Sequence, residues 1–234
     1  MSQPIRMYDL AGADDRVRFS PYCWRIKLAL AHKGLAVETI PWRFTDKEVI
    51  AFSGQSRVPV ILDGERVVFE SWTIAEYLQA NYPRRAPLFA GEAGRALARF
   101  HNQWATESVQ PAMARLLVPD IATLIHDKDV GYFVTSRQQM FGATLDELIR
   151  ARSANLEKLQ LVLKPLNSTL VGQPFLAGEQ PSYADFAVFG AFQWARVVSP
   201  MVLFADDDPV AAWRERMLDA YGGLARAMPA RAAQ

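Results

Sequence analysis

Short apolar runs alternate with amphipathic ones over roughly the first eighty residues. Residues 5–10 read as a strand, and after a polar loop residues 21–32 read as a helix. Ser20 stands at the N-cap position of that helix and Pro21 at its first helical position. Ile26, Leu28, Ala29 and Leu30 follow as the apolar face, and Gly34 closes the segment. A second strand is predicted over 37–41 and a weakly helical or irregular stretch over 46–52. Two further apolar runs between Val58 and Phe69 are joined by Asp63-Gly64, a pair that suits a type I′ hairpin. Pro59 carries no amide proton and belongs at a strand start or edge. Glu70-Ser71 then opens a segment carrying Ile74, Ala75, Tyr77, Leu78 and Tyr82, with Ser71 as the expected N-cap. The predicted order is βαβ followed by ββα.

Residues 83–91 break the pattern with two prolines and a glycine and read as a linker. Beyond it the pattern is helical. Phe100, Trp104, Val109, Met113 and Leu116 follow helical spacing, with Pro111 expected to kink or interrupt the run. Leu145, Leu148, Leu156, Leu159, Leu163 and Leu166 mark another helix. Phe186, Val188, Phe189, Phe192 and Trp194 mark a third, apolar on most sides and therefore buried. Trp104, Trp194 and Trp213 are expected in the core rather than on a substrate wall. The reading is an α/β domain over 1–82, a linker over 83–91, and an all-α domain over 92–234.

Composition narrows the function more than the fold. The 234 residues are 50% hydrophobic, an ordinary globular balance, and 26 Lys plus Arg against 25 Asp plus Glu leave a net charge of +1. So balanced a charge supplies no basic field for nucleic acid or anionic lipid. The most apolar run is about half the length a bilayer requires, and no secretory signal is visible, so no membrane association is expected. Cys23 is the one cysteine, which excludes a disulfide framework and fits a reducing, cytoplasmic setting. His32, His101 and His126 are too scattered to suggest a metal site, and no metal is expected.

The segment Phe19-Ser20-Pro21-Tyr22-Cys23-Trp24-Arg25 hands the first strand over to the first helix. A helix N-terminus offers free amide donors and the positive end of the macrodipole, so it stabilises an anion such as a thiolate. A free thiol with a pKa near ~8.5 is only a few per cent ionised at neutral pH, and lowering that value by about 2 units corresponds to roughly 2.7 kcal/mol. A serine hydroxyl donating to the sulfur contributes part of this. The plain alternative is that Ser20 only caps the helix, and the two roles are compatible. Cys23, one turn inside the helix and without a partner cysteine, reads as structural.

Ser20-Pro21-Tyr22-Cys23 resembles the Cys-Pro-Tyr-Cys of glutaredoxins with serine in place of the first cysteine. The larger resemblance is to glutathione transferases. Val58-Pro59 is similar to their Val-Pro, whose proline peptide is cis and whose backbone pairs with the cysteinyl part of glutathione. Glu70-Ser71 resembles their acid-serine pair, which holds the γ-glutamyl group, and Ser182-Tyr183-Ala184-Asp185 resembles the capping box of a buried helix in their all-α domain. Ser20 to Arg25, Lys27-Leu28-Ala29-Leu30 and Lys33-Gly34 resemble serine-type bacterial lignin β-etherases and related fungal transferases, as does the stretch from Asp206-Asp207-Asp208-Pro209 to Trp213.

This resemblance implies a thioredoxin-like N-terminal domain and a helical-bundle C-terminal domain that forms the hydrophobic substrate site. It implies a homodimer taking glutathione as co-substrate, with Ser20 catalytic and Arg57, Val58, Pro59, Glu70 and Ser71 binding glutathione. Arg57 is the candidate for the glycyl carboxylate. The reaction implied is attack of the thiolate on a hydrophobic, aromatic electrophile, as conjugation or aryl-ether cleavage. Two alternatives stay open: a noncatalytic protein of the same fold that binds apolar ligands, and a thiol transferase using Cys23.

Overall fold

The computed structural model describes residues 3–232. Its first half contains β1 (Ile5–Leu10), α1 (Pro21–His32), β2 (Val37–Trp42), β3 (Val60–Asp63), β4 (Arg66–Phe69) and α2 (Ser71–Asn81). The strands form one sheet in the order β2-β1-β3-β4. β1 and β2 run parallel, Ile5 opposite Val37 and Leu10 opposite Trp42, and α1 makes the crossover that a parallel pair needs. β3 runs antiparallel to β1, Tyr8 facing Val60, and β4 antiparallel to β3, Val60 facing Phe69. A 3₁₀ turn, Lys47–Ser53, lies where the irregular stretch is expected. This is the thioredoxin-like arrangement, followed by a helical domain.

Two local expectations of this half are corrected. Asp63 pairs with Arg66, so the two-residue loop is Gly64-Glu65 rather than Asp63-Gly64. Gly64 has φ +60° and Glu65 is not among the residues with positive φ, the pattern of a type II′ turn, in which glycine holds the first loop position. Ser71 is not the N-cap of α2 but its first helical residue. The flanking position is Glu70, held at φ 66° and ψ 122°, with no side-chain capping bond.

The second half contains α3 (Gly91–Trp104), α4 (Gln110–Ile121), α5 (Asp127–Phe141), α6 (Leu145–Arg150), α7 (Arg152–Gly172), α8 (Tyr183–Val198) and α9 (Pro209–Gly223). Between α3 and α4 the chain widens into a π-helical segment, Ala105–Val109, directly ahead of Pro111. A proline ring collides with the carbonyl one turn back, and the wider turn absorbs it. The leucine-marked run 145–166 is two helices that meet at Ala151, not one.

α8 is buried along almost its whole length, as its apolar circumference predicts. Its start carries a complete capping box. The Ser182 hydroxyl accepts from Ala184 N at 3.2 Å, and Asp185 accepts from Ser182 N at 2.9 Å. Asp185 also accepts from Leu176 N (2.8 Å) and Trp213 Nε1 (3.0 Å), tying α8 to the loop before it and to α9. α8 lies against α1, and Arg25 of α1, fully buried, reaches Asn102 Oδ1 at 3.0 Å and Thr106 Oγ1 at 3.1 Å, the latter in the π-helical segment. Trp194 and Trp213 are buried and Trp104 is partly buried against the core.

Candidate functional site

The register of the sheet gathers the singled-out residues at one end. β1 ends at Leu10 and the chain returns to Ser20 through a loop tied back by Phe19 N to Leu10 O at 3.2 Å. Because β3 starts opposite Tyr8 and β4 ends opposite the start of β3, Val58-Pro59 and Glu70-Ser71 emerge at that same end. β2, parallel to β1, delivers Arg43-Phe44-Thr45 there as well.

Ser20 is the N-cap of α1, with φ −63° and ψ 123°, and is 3% exposed. Its Oγ accepts from Cys23 N at 3.2 Å. A hydroxyl has two acceptor sites and one proton, so this bond leaves the proton available to donate. The first turn carries no acidic side chain, and the macrodipole therefore favours an anion there.

The Cys23 sulfur packs inward beside Ser20, with the Ser20 hydroxyl within hydrogen-bonding reach. Cys23 is fully buried, with Sγ 3.8 Å from Tyr8 O, and burial pushes its thiol well above the ordinary range, with the Asp9 charge adding to the rise. Asp9 itself is buried in an ion pair with Lys27 at 2.8 Å. The result is a packed thiol that ionises less readily than a free one.

The Val58–Pro59 peptide is cis, and both residues are buried. Arg57, immediately before them, is exposed. Glu70 is exposed, and its positive φ is a conformation that side-chain-bearing residues rarely hold without local need. Ser71 is buried, and its carbonyl accepts from the Tyr183 hydroxyl of α8 at 2.9 Å. Burial pushes the Tyr183 hydroxyl up to about 12, so it remains a donor at neutral pH.

Residues that no sequence motif had marked also reach this end. Lys47 donates to Ser56 O at 2.8 Å and lies over the rings of Trp42 and Tyr132. From α5 come Asp129, Phe133 and Arg137. Phe133 stacks obliquely on Phe44, ring centroids 5.2 Å apart, and Phe44 on Phe19 at 6.3 Å. Arg137 lies over both Phe44 and Phe133, its guanidinium held below its ordinary value by burial and by the nearby Arg57 charge. A separate cleft of about 440 Å³ runs along the flank of α1 and β2, past Trp24, Lys27, Val37 and Met228, and is not lined by Ser20, Arg57, Val58, Pro59, Glu70 or Ser71.

Among the described residues no group of histidine, cysteine, aspartate and glutamate side chains could hold a metal ion, and no helix is long and apolar enough to cross a membrane.

A thioredoxin-like sheet with its helix start, cis-proline and acid-serine corner at one end, backed by a helical domain, defines a class of thiol-binding proteins. Residues 16–86 match the family described as glutathione S-transferase, N-terminal domain, and residues 96–219 the family described as glutathione S-transferase, C-terminal domain. The chain belongs to the glutathione S-transferase family, whose co-substrate is glutathione.

Among curated relatives, the glutathione S-transferase-like protein ustS of Aspergillus flavus is 32% identical over 143 residues, covering 55% of this chain and 50% of the relative. The chain thus spans half the length of that protein. The glutathione S-transferase-like protein OpS6 of Beauveria bassiana is 27% identical, covering 90% of this chain and 88% of the relative. Among solved structures, glutathione transferase GSTFuA3 of Phanerochaete chrysosporium has a TM-score of 0.77 at 26% identity, covering 97% of this chain and 96% of that one. The glutathione S-transferase CsGST63524 of Ceriporiopsis subvermispora, solved in complex with glutathione, has a TM-score of 0.82 at 22% identity, covering 94% and 98%, and shares the fold.

Proposed function

We propose that this transferase activates the glutathione thiol with Ser20 and directs it at a hydrophobic, aromatic electrophile, in the manner of serine-type β-etherase-like and related fungal transferases. The observation that carries the reading is the Ser20 hydroxyl, engaged as acceptor by Cys23 N with its proton left to donate at the opening turn of α1. The sulfur rests there as an anion beside that proton and the positive helix end. Val58 offers its backbone to the cysteinyl part of glutathione beside Pro59. Glu70 and Ser71 receive the γ-glutamyl group, and Arg57 takes the glycyl carboxylate with Lys47 near it.

The thiolate then attacks the electrophilic carbon. A carbon–sulfur bond forms as the bond to the leaving group breaks, and the departing group carries off the electron pair. For an aryl ether the leaving group is a phenolate, which takes its proton from water. The helical domain from about residue 92 supplies the apolar walls, and the protein works as a homodimer in the cytoplasm.

Ser20→Ala and Cys23→Ser separate this reading from its rivals. Ser20→Ala loses a hydrogen bond to a charged sulfur and is expected to lower turnover by about 10- to 100-fold, with the acidic limb of the pH profile, which follows thiolate formation, moved to higher pH. Cys23→Ser is expected to retain turnover. The reverse pattern assigns the chemistry to Cys23, and glutathione binding without turnover of any electrophile assigns a noncatalytic role.

A further inference from the structure

One face of α5 is turned toward the segment that joins β2 to β3. Asp129, Phe133 and Arg137 fall on it one turn apart. The Asp129 carboxylate is fully buried, yet every bond it makes is to that segment: Phe44 N at 3.2 Å, Thr45 N at 3.0 Å and Thr45 Oγ1 at 2.6 Å. Lys128, its neighbour, pairs with Asp46 at 2.5 Å. Phe133 and Arg137 complete the face by closing over the Phe44 ring.

The anchored segment is the one that carries Lys47 and Arg57 and leads directly into Val58-Pro59. Its path between β2 and β3 contains one short 3₁₀ turn and no strand, so few backbone bonds of its own fix it. Two amides and a hydroxyl held by one buried carboxylate set where that path begins. A buried charge is a poor device for stability alone, because its desolvation offsets most of what its bonds return, whereas it does fix geometry tightly.

We propose that Asp129 is a positioning residue for the glutathione site. Although it belongs to the helical domain and never touches the tripeptide, it holds Phe44 and Thr45 so that Lys47, Arg57 and the Val58 backbone stand where glutathione meets them. This rests on the reading of that site given above.

The test is Asp129→Asn, which keeps the size of the side chain but puts an amide against the donors, with Thr45→Val as the variant that deletes only the 2.6 Å bond. Binding of reduced glutathione is followed by calorimetry and turnover with 1-chloro-2,4-dinitrobenzene. For Asp129→Asn the dissociation constant and the KM for glutathione are expected to rise by about 10- to 100-fold, the scale of loss when binding groups are misplaced, while kcat at saturating glutathione stays within about twofold. Thr45→Val is expected to raise both constants by a few-fold with the same split, and it carries the test if Asp129→Asn fails to fold. Unchanged glutathione affinity in a folded variant, with only the melting temperature lowered, overturns the positioning role and leaves the glutathione site standing. Wild-type protein that binds no glutathione overturns both.

Discussion

The carbonyl oxygen of Pro21 lies directly against the α-carbon of Gly190, where the opening turn of α1 crosses the middle of α8. A methyl group on Gly190 would collide with that oxygen and would stand 3.2 Å from both the Pro21 carbonyl carbon and Arg25 Cγ. Neither backbone can yield without moving a helix. Gly190→Ala is therefore expected to cost about 1–3 kcal/mol of stability, as overpacking does. Because Pro21 follows Ser20, turnover is expected to fall further than the lost stability explains. Denaturant melts beside turnover measured well below the transition separate the two effects.

Glu70 is the second place where backbone and function meet. With φ 66° it holds a conformation open to glycine and costly for other residues. Glu70→Gly is expected to raise stability by about 1 kcal/mol by relieving that strain. The same change removes the carboxylate proposed for the γ-glutamyl group, so glutathione affinity is expected to drop by at least about tenfold. A variant both less stable and undiminished in affinity contradicts the assignment on both counts.

His32 closes α1 against two other elements. Nε2 lies 2.9 Å from Pro87 O and Nδ1 2.9 Å from the Tyr221 hydroxyl. A carbonyl only accepts, so Nε2 carries the proton and Nδ1 accepts from Tyr221 in the neutral ring. Burial lowers the His32 pKa from 6.5, Lys33 lowers it further, and the bond to Pro87 opposes both. The folded protein thus takes up a proton less readily than the unfolded chain. This contribution to stability is complete above pH 6.5 and is lost as pH falls from there through the lower folded value. Thermal melts from pH 8 to 5 are expected to show a decline in the wild type that is shallower in His32→Gln.

Much of this architecture is readable from the residues because it is written locally. Ser20-Pro21 before an apolar helical run specifies where α1 begins, and the 21–32 reading coincides with the helix observed. The hairpin is equally local, although its turn type hinged on which residue pairs with Arg66. α5 escaped a reading by periodicity because only Asp129 and Phe133 of its fifteen residues are buried. The break at Ala151 has no glycine or proline to announce it. Asp129 was out of reach for another reason: its partners lie 84 and 85 residues away, and only the folded chain brings them together.

The bond from the Tyr183 hydroxyl to Ser71 O has a consequence for engineering by recombination. A chimera that joins this N-terminal half to the helical half of a relative with phenylalanine at the matching position would lose this bond between the two halves, leaving Ser71 O with the bond it accepts inside α2. Grafts made between such halves should carry the tyrosine with them, or the ligand-facing corner of the recipient will loosen even though every residue in it is unchanged.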